Sequence, residues 1–203
     1  MNSNEVTLKT YQENFDKYIS GTVQATSGSQ KEWMERVLEY VDKDAPILEI
    51  GSAFGRDAKF IQENGYTNLT VTDAFEAAVA TLKHYGFSDA KKLNILTDEL
   101  DSEYRLVFAS AVFLHFTEQE FRSVLDKLRR HLGVRGILAF TVKEGDGEEW
   151  NEAKLDAPRF FRFWREEPLR QVLNEEGYNV LDITNNQGTS ERWLSVMCQT
   201  RGL

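Results

Sequence analysis

Short apolar runs of strand character alternate with amphipathic stretches along most of this chain, and that alternation limits its fold more than any other feature. The predicted strands are 45–50, 68–72, 91–96, 106–111, 137–142, 180–184 and 193–199. Between them, helical spacing predicts 31–41, 56–64, 76–85, 118–132 and 168–176, with Gly65, Gly86 and Gly133 as stops and Pro168 tolerated in a first turn. Strands joined through helices cannot form hairpins. They imply right-handed βαβ crossovers and a mostly parallel sheet covered on both faces. Only the last two strands are separated by a short polar loop, 185–191, which suits an antiparallel pair. At 203 residues the chain fits one domain, 1–203. Two parts break its rhythm. A weakly amphipathic helix at 7–20, with Tyr11, Phe15 and Tyr18 on one face, precedes a Gly/Ser/Thr-rich joint at 21–29. A polar insertion occupies 143–165.

The turn after the first central strand carries the chemistry. In open α/β sheets, ligands sit beyond the carboxyl ends of the strands. There the chain reads Ile47-Leu-Glu-Ile-Gly-Ser-Ala-Phe-Gly-Arg-Asp57. A dinucleotide fingerprint needs glycine at its first, third and sixth positions, and here Gly51, Ala53 and Arg56 stand there. The arginine would block close helix–strand packing. An acid followed by Gly-x-small-x-Gly fits better, as Glu49, Gly51, Ala53 and Gly55. Asp73 ends the second strand 22 residues after Gly51, where an acid can accept both hydroxyls of a ribose. Loop and spaced acid together indicate an adenosine-type ligand. Glu49, on a buried strand, must bond loop N–H groups or face a cation.

The sequence here resembles the class I S-adenosylmethionine-dependent methyltransferases, and within them the small bacterial small-molecule enzymes of the tellurite-resistance type. The likeness runs from about Tyr11 to Gln199 and rests on Leu48-Glu-Ile-Gly-Ser-Ala-Phe-Gly-Arg-Asp57, Val71-Thr-Asp73, Ala109-Ser-Ala-Val-Phe-Leu-His115, residues 125–132 leading into 136–140, and Trp193-Leu194. It implies a Rossmann-like α/β fold with seven strands in the order 3-2-1-4-5-7-6, strand 7 antiparallel. It also implies S-adenosylmethionine as cofactor and S-adenosylhomocysteine as product. The family usually has glycine where Ala53 stands, and often cysteine or alanine where Ser52 stands.

The resemblance assigns cofactor contacts to Gly51, Ser52, Ala53, Gly55, Asp73 with Ala74 and Phe75, Asn94 and Ile95 beside adenine, and Ala109 and Ser110. Arg56 and Asp57 would face the methionine end or the substrate, or else form a surface ion pair, and Glu49 would organise the site through loop N–H groups or the methionine end. Tyr11 and Tyr18 match tyrosines of an N-terminal lid at 1–30. For the acceptor side, His115 is a candidate base or a structural loop histidine. Phe113, Lys143, Trp150, Arg159 and Phe163 would form a substrate wall. Lys143, Arg159, Arg162 and Arg165 among aromatics suit an anionic or aromatic small-molecule acceptor. The alternative is a solvated loop anchored by its aromatics.

Charge and composition narrow the classes. Lys and Arg number 24 against 33 Asp and Glu, a net −9, so the chain is not built to coat nucleic acid. One cysteine, Cys198, and three histidines give no metal cage. The first residues carry no signal-peptide pattern and no run of about 18 apolar residues occurs, so a cytoplasmic protein with no membrane partner is expected. Two rivals to a small-molecule methyltransferase stand: a non-catalytic S-adenosylmethionine-binding regulatory module, favoured by Ala53, and an RNA or protein methyltransferase, disfavoured by the missing basic arm.

Overall fold

The computed structural model describes residues 2–188 and 191–201; positions 189 and 190 of the expected 185–191 loop, and 1, 202 and 203 of the expected domain, lie outside the described residues. In chain order the elements are α1 (Ser3–Glu13), α2 (Phe15–Ser20), α3 (Gly28–Leu38), β1 (Ile47–Ile50), α4 (Arg56–Glu63), β2 (Leu69–Asp73), α5 (Glu76–His84), β3 (Lys91–Lys92) and β4 (Tyr104–Ala109). A 3₁₀ turn (Phe113–His115) leads to α6 (Glu118–His131), β5 (Leu132–Lys143), β6 (Glu148–Asn151), β7 (Arg159–Arg162), α7 (Glu166–Glu175), β8 (Tyr178–Gln187) and β9 (Arg192–Thr200).

Seven strands form one sheet in the order β3-β2-β1-β4-β5-β9-β8. With the separate β6–β7 hairpin set aside, this is the expected 3-2-1-4-5-7-6 order. β1, β2, β3, β4 and β5 pair in parallel, and β9 runs antiparallel between β5 and β8. Every residue of β1 is buried, which is why that strand reads as a continuous apolar run rather than an alternation. One face of the sheet packs Phe113, Phe121, Leu125, Leu128 and Leu169 from the α6 and α7 side. The other packs Trp33, Met34 and Val37 of α3 with Ile61 of α4. Among the described residues no helix is long and apolar enough to cross a membrane.

Several expected boundaries shift for local reasons. The single helix expected at 7–20 starts at Ser3, because Asn2 and Glu5 close a capping box, and it breaks at Asn14. The strand expected at 91–96 stops after Lys92. The Asn94 side chain accepts from Leu96 N–H at 3.1 Å and Asp98 accepts from Asn94 N–H at 2.9 Å, so a side-chain-locked turn replaces the sheet edge. Instead of stopping cleanly at Gly133, α6 passes straight into β5, and the β4–β5 register shifts between Tyr104 and Leu106. The insertion is not a solvated loop: β6 and β7 pair antiparallel from Glu148↔Arg162 to Asn151↔Arg159.

This hairpin and the N-terminal helices hold each other. Thr7 Oγ1 accepts from Phe160 N–H at 3.0 Å, Thr10 Oγ1 donates to the Pro158 carbonyl at 2.7 Å, and Lys17 pairs with Asp156. Phe15 of α2 meets Phe75 edge-on at 5.1 Å, seating the segment beside the end of β2.

Candidate functional site

At the carboxyl ends of β1, β2 and β4 lies a cavity, partly open to solvent. That position suits a small ligand in an open α/β sheet. Of the expected residues, Gly51, Ala53, Asp73, Ala74, Phe75, Asn94, Ile95 and Ser110 line it, with Tyr11, Tyr18 and His115 on the lid side. Glu49, Ser52, Gly55, Arg56, Asp57 and Ala109 do not line it.

The loop after β1 needs backbone that glycine supplies. Gly51 has φ +71° and a Cβ there would come 2.5 Å from Val112 Cγ2; Gly55 has φ +84° and a Cβ would come 2.6 Å from Phe87 Cε2. Ala53 adopts φ +52°, the left-handed region, in spite of its methyl group. Its N–H donates to Asp73 Oδ2 at 2.8 Å, so the acid at the tip of β2 fixes the loop at the tip of β1. Left-handed backbone costs a non-glycine residue roughly 1–2 kcal/mol. Ala53→Gly is therefore expected to raise the denaturant midpoint by about 0.5–1 kcal/mol of stability, less than the strain relieved because glycine gains freedom when unfolded. An unchanged or lower midpoint would show that the loop is not strained.

Three buried carboxylates gather behind this loop. Burial pushes the Asp73 carboxyl up to about 6, although the Ala53, Ala74 and Phe75 N–H groups pull it down. Glu49 is raised to about 8, first by burial and then by the Asp57 charge. Its Oε2 is buried with no hydrogen-bond partner. The Ser52 side chain and the Arg56 charge pull this acid the other way. Asp57 is satisfied: Arg56 grips it with Nε and Nη2 at 2.8 and 2.9 Å, and Thr26 Oγ1 and Gln30 Nε2 each donate to it at 3.0 Å. Gln30 also donates to Ser110 Oγ at 3.1 Å, tying α3 to the end of β4.

Thr26 and Gln30 escape the sequence reading, which treats 21–29 as a flexible joint and leaves Gln30 just before the helix at 31–41; nothing there signals a partner 27–31 residues away. Asn4 and Thr7 also line the cavity unforeseen. Their signal was present, since Asn4, Thr7 and Tyr11 stand i, i+3, i+7 on one face of α1.

On the lid side a hydrogen-bond chain has a fixed direction. The Phe160 carbonyl can only accept, so at 2.7 Å His115 Nδ1 carries the proton. His115 Nε2 then offers its lone pair, and Tyr11 O–H donates to it at 2.9 Å. Arg159 Nη1 in turn donates to Tyr11 Oη at 3.2 Å. Burial, with the Arg159 and Lys143 charges adding to it, lowers His115 to about 3. The imidazole is neutral at physiological pH and its lone pair is engaged, which leaves it poorly suited as a free base.

The residues expected to form a substrate wall, Phe113, Lys143, Trp150, Arg159 and Phe163, all stand outside the cavity lining. Phe113 has no exposed surface: the 3₁₀ turn directs it inward against Phe116, Phe121 and Phe140. Trp150 points to solvent from β6, half exposed, with its ring edge on Phe160. Lys143 is paired with Glu191 at 2.6 Å and lies 4.0 Å over the Phe161 ring. Arg159 touches the cavity only through Tyr11.

Sheet order, glycine loop and spaced acid together define the Rossmann-like fold of the class I methyltransferases. More particularly, a sequence-family profile described as Methyltransferase domain matches residues 48–138, the stretch from β1 into β5 that carries most of the cavity. No curated protein sequence matches the chain. Solved structures do. Magnesium protoporphyrin IX methyltransferase from Synechocystis PCC 6803, with S-adenosylmethionine bound, superposes with a TM-score of 0.76 at 11% identity, covering 98% of each chain. The 1,6-didemethyltoxoflavin N1-methyltransferase of Burkholderia thailandensis, with its substrate and S-adenosylhomocysteine, gives 0.76 at 16% identity, covering 99% of this chain and 91% of that one. A cyclase of the 4+2 type gives 0.78 at 13% identity, covering 100% and 97%. At such identities the likeness is one of fold, and the cyclase illustrates that this fold hosts more than one reaction.

Proposed function

We propose that the protein is an S-adenosylmethionine-dependent methyltransferase whose acceptor is a small molecule. The observation that carries this reading is the joining of a left-handed glycine loop to Asp73 through the Ala53–Asp73 hydrogen bond, at the mouth of a cavity roofed by two tyrosines. The residues fit the cofactor. Asp73 offers carboxylate lone pairs where a ribose would lie, Gly51 lines the cavity at the loop, and the orphaned Glu49 Oε2 suits the cationic methionine end. Asn94 and Ile95 would flank the adenine, and Ser110 would meet the methionine portion.

S-Adenosylmethionine supplies, when bound, an electrophilic methyl group whose transfer leaves S-adenosylhomocysteine. The chain's own contribution is placement and exclusion of water. Tyr11 and Tyr18 meet edge-on at 5.2 Å and close the cavity; their faces suit a sulfonium. His115 serves as the latch that holds Tyr11 down, with Phe160 fixing its tautomer, and it takes no proton from the acceptor. The protoporphyrin and toxoflavin methyltransferases on which the chain superposes act on small molecules, which supports a small acceptor over RNA or protein. The small bacterial subgroup that the sequence resembles is part of the same proposal.

The test is a calorimetric titration with S-adenosylhomocysteine, followed by incubation with methyl-labelled S-adenosylmethionine and a cell extract. Micromolar binding and label in the low-molecular-weight fraction are expected. Label confined to RNA or protein would move the acceptor to a polymer. Binding with no transfer to any fraction would make the protein a regulatory module, and absence of binding would overturn the reading entirely.

A further inference from the structure

The basic residues of the insertion divide sharply once their partners are known. Lys143 is paired with Glu191, Arg162 with Glu118 and Glu148, and Arg165 with Asp146. Arg159 is different. It is only 5% exposed, yet among the described residues no carboxylate lies within 4.0 Å of it, and its Nε has no hydrogen-bond partner. It rests on the Phe161 ring at 5.0 Å and donates once, to Tyr11. A buried guanidinium held by one neutral hydroxyl and an aromatic face is costly, because no carboxylate of the described residues pairs with it.

Its surroundings make it more positive still. Arg159 and Lys143 both act electrostatically on His115 and on Lys154, whose Nζ lies 4.5 Å over the Tyr18 ring. Asp73 lines the cavity with Glu49 and Asp57 behind it, and Arg56 is paired with Asp57 there. In a chain of net charge −9 this cluster of basic residues around the lid is a local construction.

We propose that the acceptor carries an oxyanion, a carboxylate or a phosphate, and that Arg159, which stands behind Tyr11 and outside the cavity lining, receives it once the Tyr11 hydroxyl turns away from His115 and opens the way, Tyr11 then serving as a second donor. A planar fork of N–H donors pairs with two oxygens at once, which an ammonium cannot do. This deepens the methyltransferase reading and rests on it. Occupation of the site would also couple acceptor to lid, because the same Tyr11 hydroxyl is the latch.

The test is thermal denaturation of the full chain, with and without saturating S-adenosylhomocysteine, against sodium benzoate, inorganic phosphate and the uncharged isostere benzamide. At about ten times its Kd, benzoate or phosphate should raise the Tm of the wild type by about 3–6 °C, and benzamide should not. Which anion acts separates carboxylate from phosphate. Arg159→Met should lose the anion shift and keep the shift given by S-adenosylhomocysteine. Arg159→Lys, which keeps the charge without the fork, should lose at least half of it and covers the case in which the methionine variant does not fold. No shift from either anion, an equal shift from benzamide, or a full shift in the variants would overturn the proposal. A wild type that answers anions and not S-adenosylhomocysteine would instead overturn the functional reading and leave the anion site standing.

Discussion

Asp73→Ala should weaken S-adenosylhomocysteine binding by about 100-fold or more, the largest loss expected from any single side chain. A carboxylate that accepts two ribose hydroxyls makes two charge-assisted hydrogen bonds, each worth roughly 1.5–3 kcal/mol, and loop anchoring adds to this through Ala53. Asp73→Asn keeps an acceptor for the Ala53 N–H and should lose about tenfold. Stability should move the other way. Because burial raises this acid to about 6 from an ordinary 3.8, the folded state holds the proton more tightly than the unfolded chain. Its contribution therefore favours folding at low pH and is lost as pH rises from about 4 through 6. The unliganded Asp73→Asn protein should accordingly lose less stability than wild type across that window. Calorimetry gives the affinities and urea midpoints at pH 4.5 and 7 give the stabilities. An Asp73→Ala protein that binds as wild type does would remove the ribose assignment.

How much of this was readable beforehand depends on the reach of each interaction. The sheet order and the glycine loop follow from local patterns: apolar runs, small residues at a turn, and an acid 22 residues on. The strand expected at 91–96 failed because Asn94 found partners two and four residues away that outcompete a sheet edge. The site's outer half was illegible for a different reason. Tyr11, His115 and Arg159 are 104 and 148 residues apart in their hydrogen-bonded pairs, and no periodicity encodes such a meeting. Even the insertion's charge pattern misled in part: four basic residues looked equivalent, and only the positions of Glu118, Glu148, Glu191 and Asp146 single out Arg159. Phe113 illustrates the converse, since an aromatic near a site is as readily a core residue as a wall.

The second large effect concerns Glu49 and is read through protons. Burial, reinforced by the Asp57 charge, raises Glu49 from 4.5 to about 8, so at pH 7 the unliganded protein keeps it mostly protonated. An acid with a raised folded-state pKa favours the fold below its unfolded value, and that advantage disappears as pH climbs from about 4.5 to 8. The unliganded protein should therefore lose stability over this range, and Glu49→Gln should flatten the loss. Binding works in the opposite sense. A cationic ligand beside Glu49 favours the carboxylate, so S-adenosylmethionine should expel close to one proton at pH 7, which calorimetry in phosphate and Tris buffers measures directly. At pH 9, where wild-type Glu49 is ionised before the ligand arrives, Glu49→Gln should bind about 100-fold more weakly, since an attraction of about 3 kcal/mol acts between unit charges about 5 Å apart at an effective dielectric near 20. Equal proton release from wild type and Glu49→Gln would place the cation elsewhere. It would return the buried, unpartnered Oε2 to the status of a structural cost that the site does not use.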